Sequence, residues 1–183
     1  MGEGAERYRR VSDGFGARLR QVGAEQWSDP TPCEDWTVRQ LATHVVDTQR
    51  RVLSMGTGAE AVAADPEGDL LAQWEEASAA LLAAVNDPEC AASEISTGMF
   101  GDMPFEGLVG GLACSDTVVH TWDLARATGQ DEHLDTEAVA NSAALLERVG
   151  DGMRSPGGFA PALTPPAGAA AQVSFLSFCG RAV

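Results

Sequence analysis

Two of the three histidines in this chain, His44 and His120, lie inside apolar runs with helical spacing, and Asp116 stands four residues before His120. On a helix, a four-residue step sends both side chains off the same face, one turn apart. A carboxylate and an imidazole so placed can share a divalent cation with one more ligand from a facing helix, leaving positions open for water or substrate. His44 is the histidine available for that role. Two imidazoles and one carboxylate suit Zn²⁺, Ni²⁺, Fe²⁺, Co²⁺ or Mn²⁺. Three protein ligands are what catalytic sites use, whereas closed structural zinc sites use four. A site built on His44, Asp116 and His120 could activate a water or thiol nucleophile, or polarise an electrophile.

Neighbouring residues have plainer readings, and D-x-x-x-H alone is a weak pattern. Asp47 and Asp123 are placed to orient the imidazoles from behind, and Asp47 reads equally well as a solvated helix charge. His133, among Gln130, Asp131 and Glu132, reads as an exposed loop residue. Trp36 and Trp122 read as packing residues. Cys114, two residues before Asp116, points away from the ligand face.

The elements that must position these residues are helical. Tyr8, Val11, Phe15, Leu19 and Val22 form the stripe of a first helix, weakened by Gly14 and Gly16 and stopped at Gly23. Residues 27–36, with Ser28, Asp29, Pro30, Pro32, Glu34 and Asp35, are rich in turn formers. Thr37 and Gln40 suit a capping box for the second helix, with Trp36 stapling onto Leu41. Its stripe is Val38, Leu41, Ala42, Val45 and Val52, with His44 on the flank. A linker with Gly56, Gly58, Pro66 and Gly68 leads to a third helix (Leu70, Leu71, Trp74, Ala77, Leu81, Val85) that ends at Asn86-Asp87-Pro88. Residues 95–108 read as a loop or short hairpin.

A fourth helix spans residues 109–128, with Gly129 past its end. Val109, Ala113, Asp116, His120, Asp123 and Ala127 share one face of it, and burying three polar groups there demands partners. Asp135 caps a fifth helix through Val139, Ala143, Leu146 and Val149. After a Gly/Pro-rich loop at 150–168, residues 169–183 dock as a last short helix. The expected architecture is all-α: an antiparallel four-helix bundle with an additional helix and a C-terminal covering segment, one domain over residues 1–183.

With 183 residues and 44% hydrophobic content, the chain can bury a sizeable core. A net charge of −15 repels nucleic acid and anionic membranes, so neither is an expected partner. No apolar run reaches the length of a membrane span, and the first residues lack a signal peptide's apolar stretch, so a cytoplasmic location is expected. The four cysteines form no CxxC pair and read as reduced and mostly buried. All 12 basic residues are arginine.

The stretches W-S-D-P-T-P-C-E-D-W-T-V-R-Q-L-A-T-H-V (residues 27–45) and D-T-V-V-H-T-W-D-L-A-R-A-T-G (residues 116–129) resemble the signature segments of the DinB-like metal-binding superfamily. The nearer likeness is to its actinobacterial branch related to mycothiol-dependent maleylpyruvate isomerase. The ending F-A-P-A-L-T-P-P … F-L-S-F-C-G-R (residues 159–181) resembles that of the short members of this branch. The resemblance implies a DinB-like four-helix bundle holding one divalent metal, often zinc or nickel, on His44, Asp116 and His120. It also implies a low-molecular-weight thiol such as mycothiol as co-substrate, a small electrophile as its target, and a homodimer, since family members are often dimers.

Two departures bear on the activity. The isomerase has glutamate where this chain has Asp116, and it carries a second, C-terminal domain. Maleylpyruvate isomerisation itself is therefore not expected. The expectation is a metal-dependent thiol S-transferase or isomerase-like enzyme; the alternative is a non-catalytic metal- or ligand-binding regulatory bundle. A metal-dependent hydrolase ranks last for want of an acid/base partner.

Overall fold

The computed structural model describes residues 2–33, 35–98, 101–154 and 159–183. Glu34 and residues 155–158 of the Gly/Pro-rich stretch lie outside them. The chain is mostly helical, with α1 (Glu3–Leu19), α2 (Val38–Thr57), α3 (Leu70–Asn86), α4 (Pro88–Ala92), α5 (Phe105–Leu108), α6 (Cys114–Thr128), α7 (Thr136–Val149) and α8 (Ala171–Phe178). One antiparallel hairpin, β1 (Glu94–Ser96) with β2 (Asp102–Pro104), pairs Ile95 with Met103. Among the described residues no helix is long and apolar enough to cross a membrane.

Helices α1, α3, α2 and α6 pack in a closed cycle, each against the next; α7 leans on α6 and α1, and α8 packs on α7. Two apolar clusters fill the interior. One joins Tyr8, Val52, Leu81, Phe105, Val119 and Trp122 with Leu146 and Phe175. The other gathers Phe15, Leu41, Val45, Leu70, Trp74 and Leu124.

Local chemistry explains most boundaries. Thr37 and Gln40 form the capping box of α2, the Thr37 hydroxyl taking the Gln40 N–H and the Gln40 side-chain Oε1 taking the Thr37 N–H at 2.8 Å. Asp135 caps α7 by accepting the Ala138 N–H at 2.8 Å, and it also anchors α1 through Arg10 at 3.1 Å. Asp87 ends α3 and at once caps α4, which starts on Pro88. The expected stop at Gly23 is not used: α1 ends at Leu19, four residues earlier, and Val22 packs from beyond the helix. Gly16 serves packing, because a Cβ there would come within 2.9 Å of the Trp74 indole nitrogen.

The fourth expected helix also differs. It begins at Phe105, and residues Val109–Ala113 form a π-helical turn before α6. A π turn widens the helix and leaves carbonyls poorly paired. The Arg7 guanidinium donates to the Gly110 carbonyl there at 3.4 Å. A Cβ on Gly110 would lie 3.1 Å from the Gly4 Cα, so the small residue lets α1 approach the turn.

A buried polar chain fixes the seam of α1, α2 and α6. The Tyr8 hydroxyl donates to the Gln49 Oε1 at 2.9 Å, and the Gln49 Nε2 donates to the Thr117 Oγ1 at 3.2 Å. Burial drives the Tyr8 phenol well above its ordinary range, so it remains a donor. Replacing Gln49 by Leu strands the Tyr8 hydroxyl, at a cost of about 1–3 kcal/mol for a buried unsatisfied group. Urea unfolding checks this; a loss of stability below about 0.5 kcal/mol, the range of a neutral surface change, contradicts it.

Candidate metal centre

The three residues expected to share a cation meet. His44 comes from the middle of α2, and Asp116 and His120 from the first two turns of α6. The His44 Nε2 lies 3.1 Å from the Asp116 Oδ1, and the His120 Nε2 lies 3.6 Å from the same oxygen. One ligand atom from each falls within 4.8 Å of the others. Donors held by bonds of about 2.0–2.1 Å in a tetrahedral arrangement sit about 3.3 Å apart, so the observed spacings bracket what a metal such as Zn²⁺ requires.

Burial makes the arrangement demanding. His120 is 7% exposed and Asp116 18%, yet the Asp116 Oδ2 has no hydrogen-bond partner among the described residues. A buried carboxylate oxygen without a donor is costly unless a cation meets it. Burial pushes the Asp116 carboxyl upward, but His120, then His44, with Arg51 behind them, outweigh that and hold it below the usual carboxylate range. Both the donor set and the bare oxygen fit a divalent cation.

His120 is gripped from its other nitrogen. Its Nδ1 lies 3.0 Å from the Asp123 Oδ2, which turns Nε2 toward Asp116. Asp123 thus takes the orienting role expected of it. Burial alone raises the Asp123 carboxyl, yet its bonds to His120 and Arg181 bring it down to about 2. Asp47, by contrast, takes neither role: its Oδ1 accepts the Ala64 N–H at 2.7 Å and pins the linker after α2.

Sequence reasoning missed two residues at the centre. The Cys33 Sγ lies 3.2 Å from the Asp123 Oδ2 and 3.7 Å from the His120 Nδ1. Arg181, after α8, donates to both Asp123 oxygens, from Nε at 3.0 Å and from Nη2 at 2.8 Å. Cys33 stood inside the first signature stretch and Arg181 closes the C-terminal stretch that resembles the short members, so each lay within a usable signal. Cys33 and Cys90 are only half-buried, whereas Cys114 and Cys179 are buried as expected, and burial pushes both of those thiols up to about 12.

The loop before α2 delivers Cys33 and Trp36. The Thr31 N–H bonds the Trp36 carbonyl at 2.9 Å, the Trp36 N–H bonds the Cys33 carbonyl at 3.0 Å, and Asp35 takes a left-handed turn at φ 66°. Trp36 does pack, but partly on the imidazoles themselves, its ring 4.7 Å from that of His44 and 5.9 Å from that of His120. Trp122 is core, and His133 is exposed beside Asp131.

Residues 8–125 match the family model of the mycothiol maleylpyruvate isomerase N-terminal domain. Two uncharacterized proteins of Mycobacterium tuberculosis, one from strain H37Rv and one from strain CDC 1551 / Oshkosh, are each 35% identical over 151 residues. That alignment covers 82% of this chain and 81% of theirs. No solved structure matches the chain.

A pH dependence follows from His120. Burial alone lowers its pKa, but Asp116 foremost, then Asp123 and Cys33, push it up to about 10. The unfolded imidazole titrates near 6.5, so the stability this group contributes is complete below about pH 6.5 and is lost as pH rises toward the folded value. The melting temperature of metal-free protein should therefore fall between about pH 6.5 and 8.5, before ordinary thiols ionise. The slope should flatten in His120→Gln. A flat profile in the parent chain, or an equal slope in the variant, contradicts the assignment.

Proposed function

The chain belongs to the mycothiol maleylpyruvate isomerase N-terminal domain family, and from that premise we propose that it is a DinB-like four-helix bundle holding one divalent cation on His44, Asp116 and His120. Zinc or nickel suits this donor set best. The bundle works as a metal-dependent enzyme that activates a low-molecular-weight thiol of the mycothiol kind for transfer to, or isomerisation of, a small electrophile. The observation that carries this reading is the half-buried Asp116 carboxylate, one oxygen facing the Nε2 atoms of both histidines and the other, itself buried, without a hydrogen-bond partner among the described residues.

A cation there supplies Lewis-acid stabilisation of the thiolate form, the nucleophilic form of sulfur. The chain's own residues do the rest. Asp123 accepts the His120 Nδ1–H and so keeps Nε2 free of its proton when the site is loaded. Trp36 packs at a tilt against both imidazoles, its ring 4.7 Å from that of His44 and 5.9 Å from that of His120. Asp123 is an unsuitable general base, because Arg181, His120 and Cys33 occupy its oxygens and its carboxyl is held near 2. Water attack needs such a base more than thiol attack does, since the cation alone can bring a thiol to its reactive state. This favours thiol chemistry over hydrolysis.

Protein loaded with Zn²⁺ or Ni²⁺ is expected to retain one ion per chain by elemental analysis, and His44→Ala and His120→Ala to retain almost none. With mycothiol and a panel of small electrophiles, loaded protein should turn over at least one substrate well above the His44→Ala control. Metal and mycothiol binding without turnover would make the chain a regulatory binding bundle. Unchanged metal content in both variants would place the ion elsewhere.

A further inference from the structure

The cluster behind His120 has the composition of a metal site in its own right. Sulfur, carboxylate oxygen and imidazole nitrogen from Cys33, Asp123 and His120 lie within 4.8 Å of one another. The separations are 3.0 Å from the His120 Nδ1 to the Asp123 Oδ2, 3.2 Å from the Cys33 Sγ to that oxygen, and 3.7 Å from Sγ to Nδ1. With Zn–S bonds of about 2.3 Å and Zn–N bonds of about 2.0–2.1 Å, tetrahedral donors stand about 3.6 Å apart for sulfur and nitrogen. The side chain of Asp123 is fully buried and that of His120 nearly so, which is where a charged donor most requires a cation.

A cation is already in place. The Arg181 Nη2 lies 2.8 Å from the Asp123 Oδ2 and 3.0 Å from the Cys33 Sγ, touching two of the three donor atoms with one nitrogen. The guanidinium is itself tethered: its Nη1 donates to the Cys179 carbonyl at 2.8 Å, and the Arg181 N–H donates to the Leu176 carbonyl at 2.9 Å. The turn that aims it passes through Gly180 at φ 80°, where a Cβ would lie 2.7 Å from that of Ala160. A planar fork with several donors can span an oxygen and a sulfur at once without taking a proton from either the thiol or the imidazole.

We propose that Cys33, Asp123 and the Nδ1 edge of His120 are a second metal-type donor set, suited to a thiophilic divalent cation, whose resident cation in this chain is the Arg181 guanidinium. The C-terminal segment thereby restricts the chain to one divalent ion. With the guanidinium removed, a divalent cation occupies the set; the Cys33 thiol and the His120 Nδ1–H each release a proton to solvent. His120 then faces a cation from each ring nitrogen when both sites are filled. This goes beyond the function proposed above, with which it shares His120 and the Asp123 carboxylate that orients it.

The test is Co²⁺ titration of the full chain followed by absorption, since thiolate coordination gives a sulfur-to-cobalt charge-transfer band that nitrogen and oxygen ligands do not. The parent chain should bind cobalt without that band. Arg181→Met, which keeps a long apolar side chain, should bind one further equivalent with the band, and Arg181→Met with Cys33→Ser should lose both. Absence of the band in folded Arg181→Met overturns the proposal. So does a band that survives Cys33→Ser, or one already present in the parent. If Arg181→Met does not fold, Arg181→Lys decides. Its compact ammonium cannot span Asp123 and Cys33 together, so the band should appear at higher cobalt concentration, and its absence at saturation overturns the proposal. A parent chain that binds no cobalt at all sinks the His44–Asp116–His120 reading alone, because the band in the Arg181 variants is still read independently.

Discussion

A half-buried carboxylate set against two imidazoles, its inner oxygen without a partner among the described residues, is the constraint around which this molecule is arranged. Such a group cannot sit in a protein interior without positive charge nearby. In the metal-free protein the charge comes from a proton on His120, which explains the direction of the shifts at both His120 and Asp116. A divalent cation on the proposed site would compete with that proton for the same nitrogen.

The fold answers this constraint at several levels. Asp116 and His120 are useful only if α6 faces α2 in one register. The Tyr8–Gln49–Thr117 chain sets that register from inside, because a slip along either helix would strand buried donors. The π turn at Val109–Ala113, gripped by Arg7 and packed on Gly4, sets how α6 leaves the preceding segment. The loop of Thr31 to Trp36 then closes the site from the side, with one end fixed by the capping box of α2. Each device is local, and all converge on the seam.

Periodicity and end signals made much of this readable. The four-residue step from Asp116 to His120 is a helix-face argument that needs no tertiary knowledge, and the caps at Thr37 and Asp135 are local chemistry. His44 could be offered as the third ligand because so few histidines exist to choose from. The failures share a cause. Gly23 looked like a stop, yet α1 ended earlier, since the chain must turn into the three-residue 3₁₀ segment at Gln26–Ser28. The π turn left no periodic trace in a run as short as Val-Gly-Gly-Leu-Ala. Asp47 was misread because its partner, the Ala64 amide, is set by a linker without periodicity. Arg181 closes a stretch noted for its resemblance, but its role could not be read because its contact with Cys33 spans 148 residues.

Charge balance at the seam bears on what the site accepts. In the metal-free state Asp116 and Asp123 contribute two negative charges, and Arg181 and protonated His120 two positive ones, so the cluster is neutral. Loading a divalent ion and releasing the His120 proton leaves a sum of +1, from +2 and +1 against −2. A buried site with one uncompensated positive charge favours a singly anionic partner, and a thiolate is one. Hydroxide would balance the charge as well, but producing it from water calls for a proton acceptor, and Asp123, the carboxylate placed behind His120, is held ionised by the Arg181 fork and already hydrogen-bonded on both oxygens. The residue that neutralises Asp123 thus removes the base a hydrolase would use, which supports the proposal of a nucleophile whose own proton leaves readily.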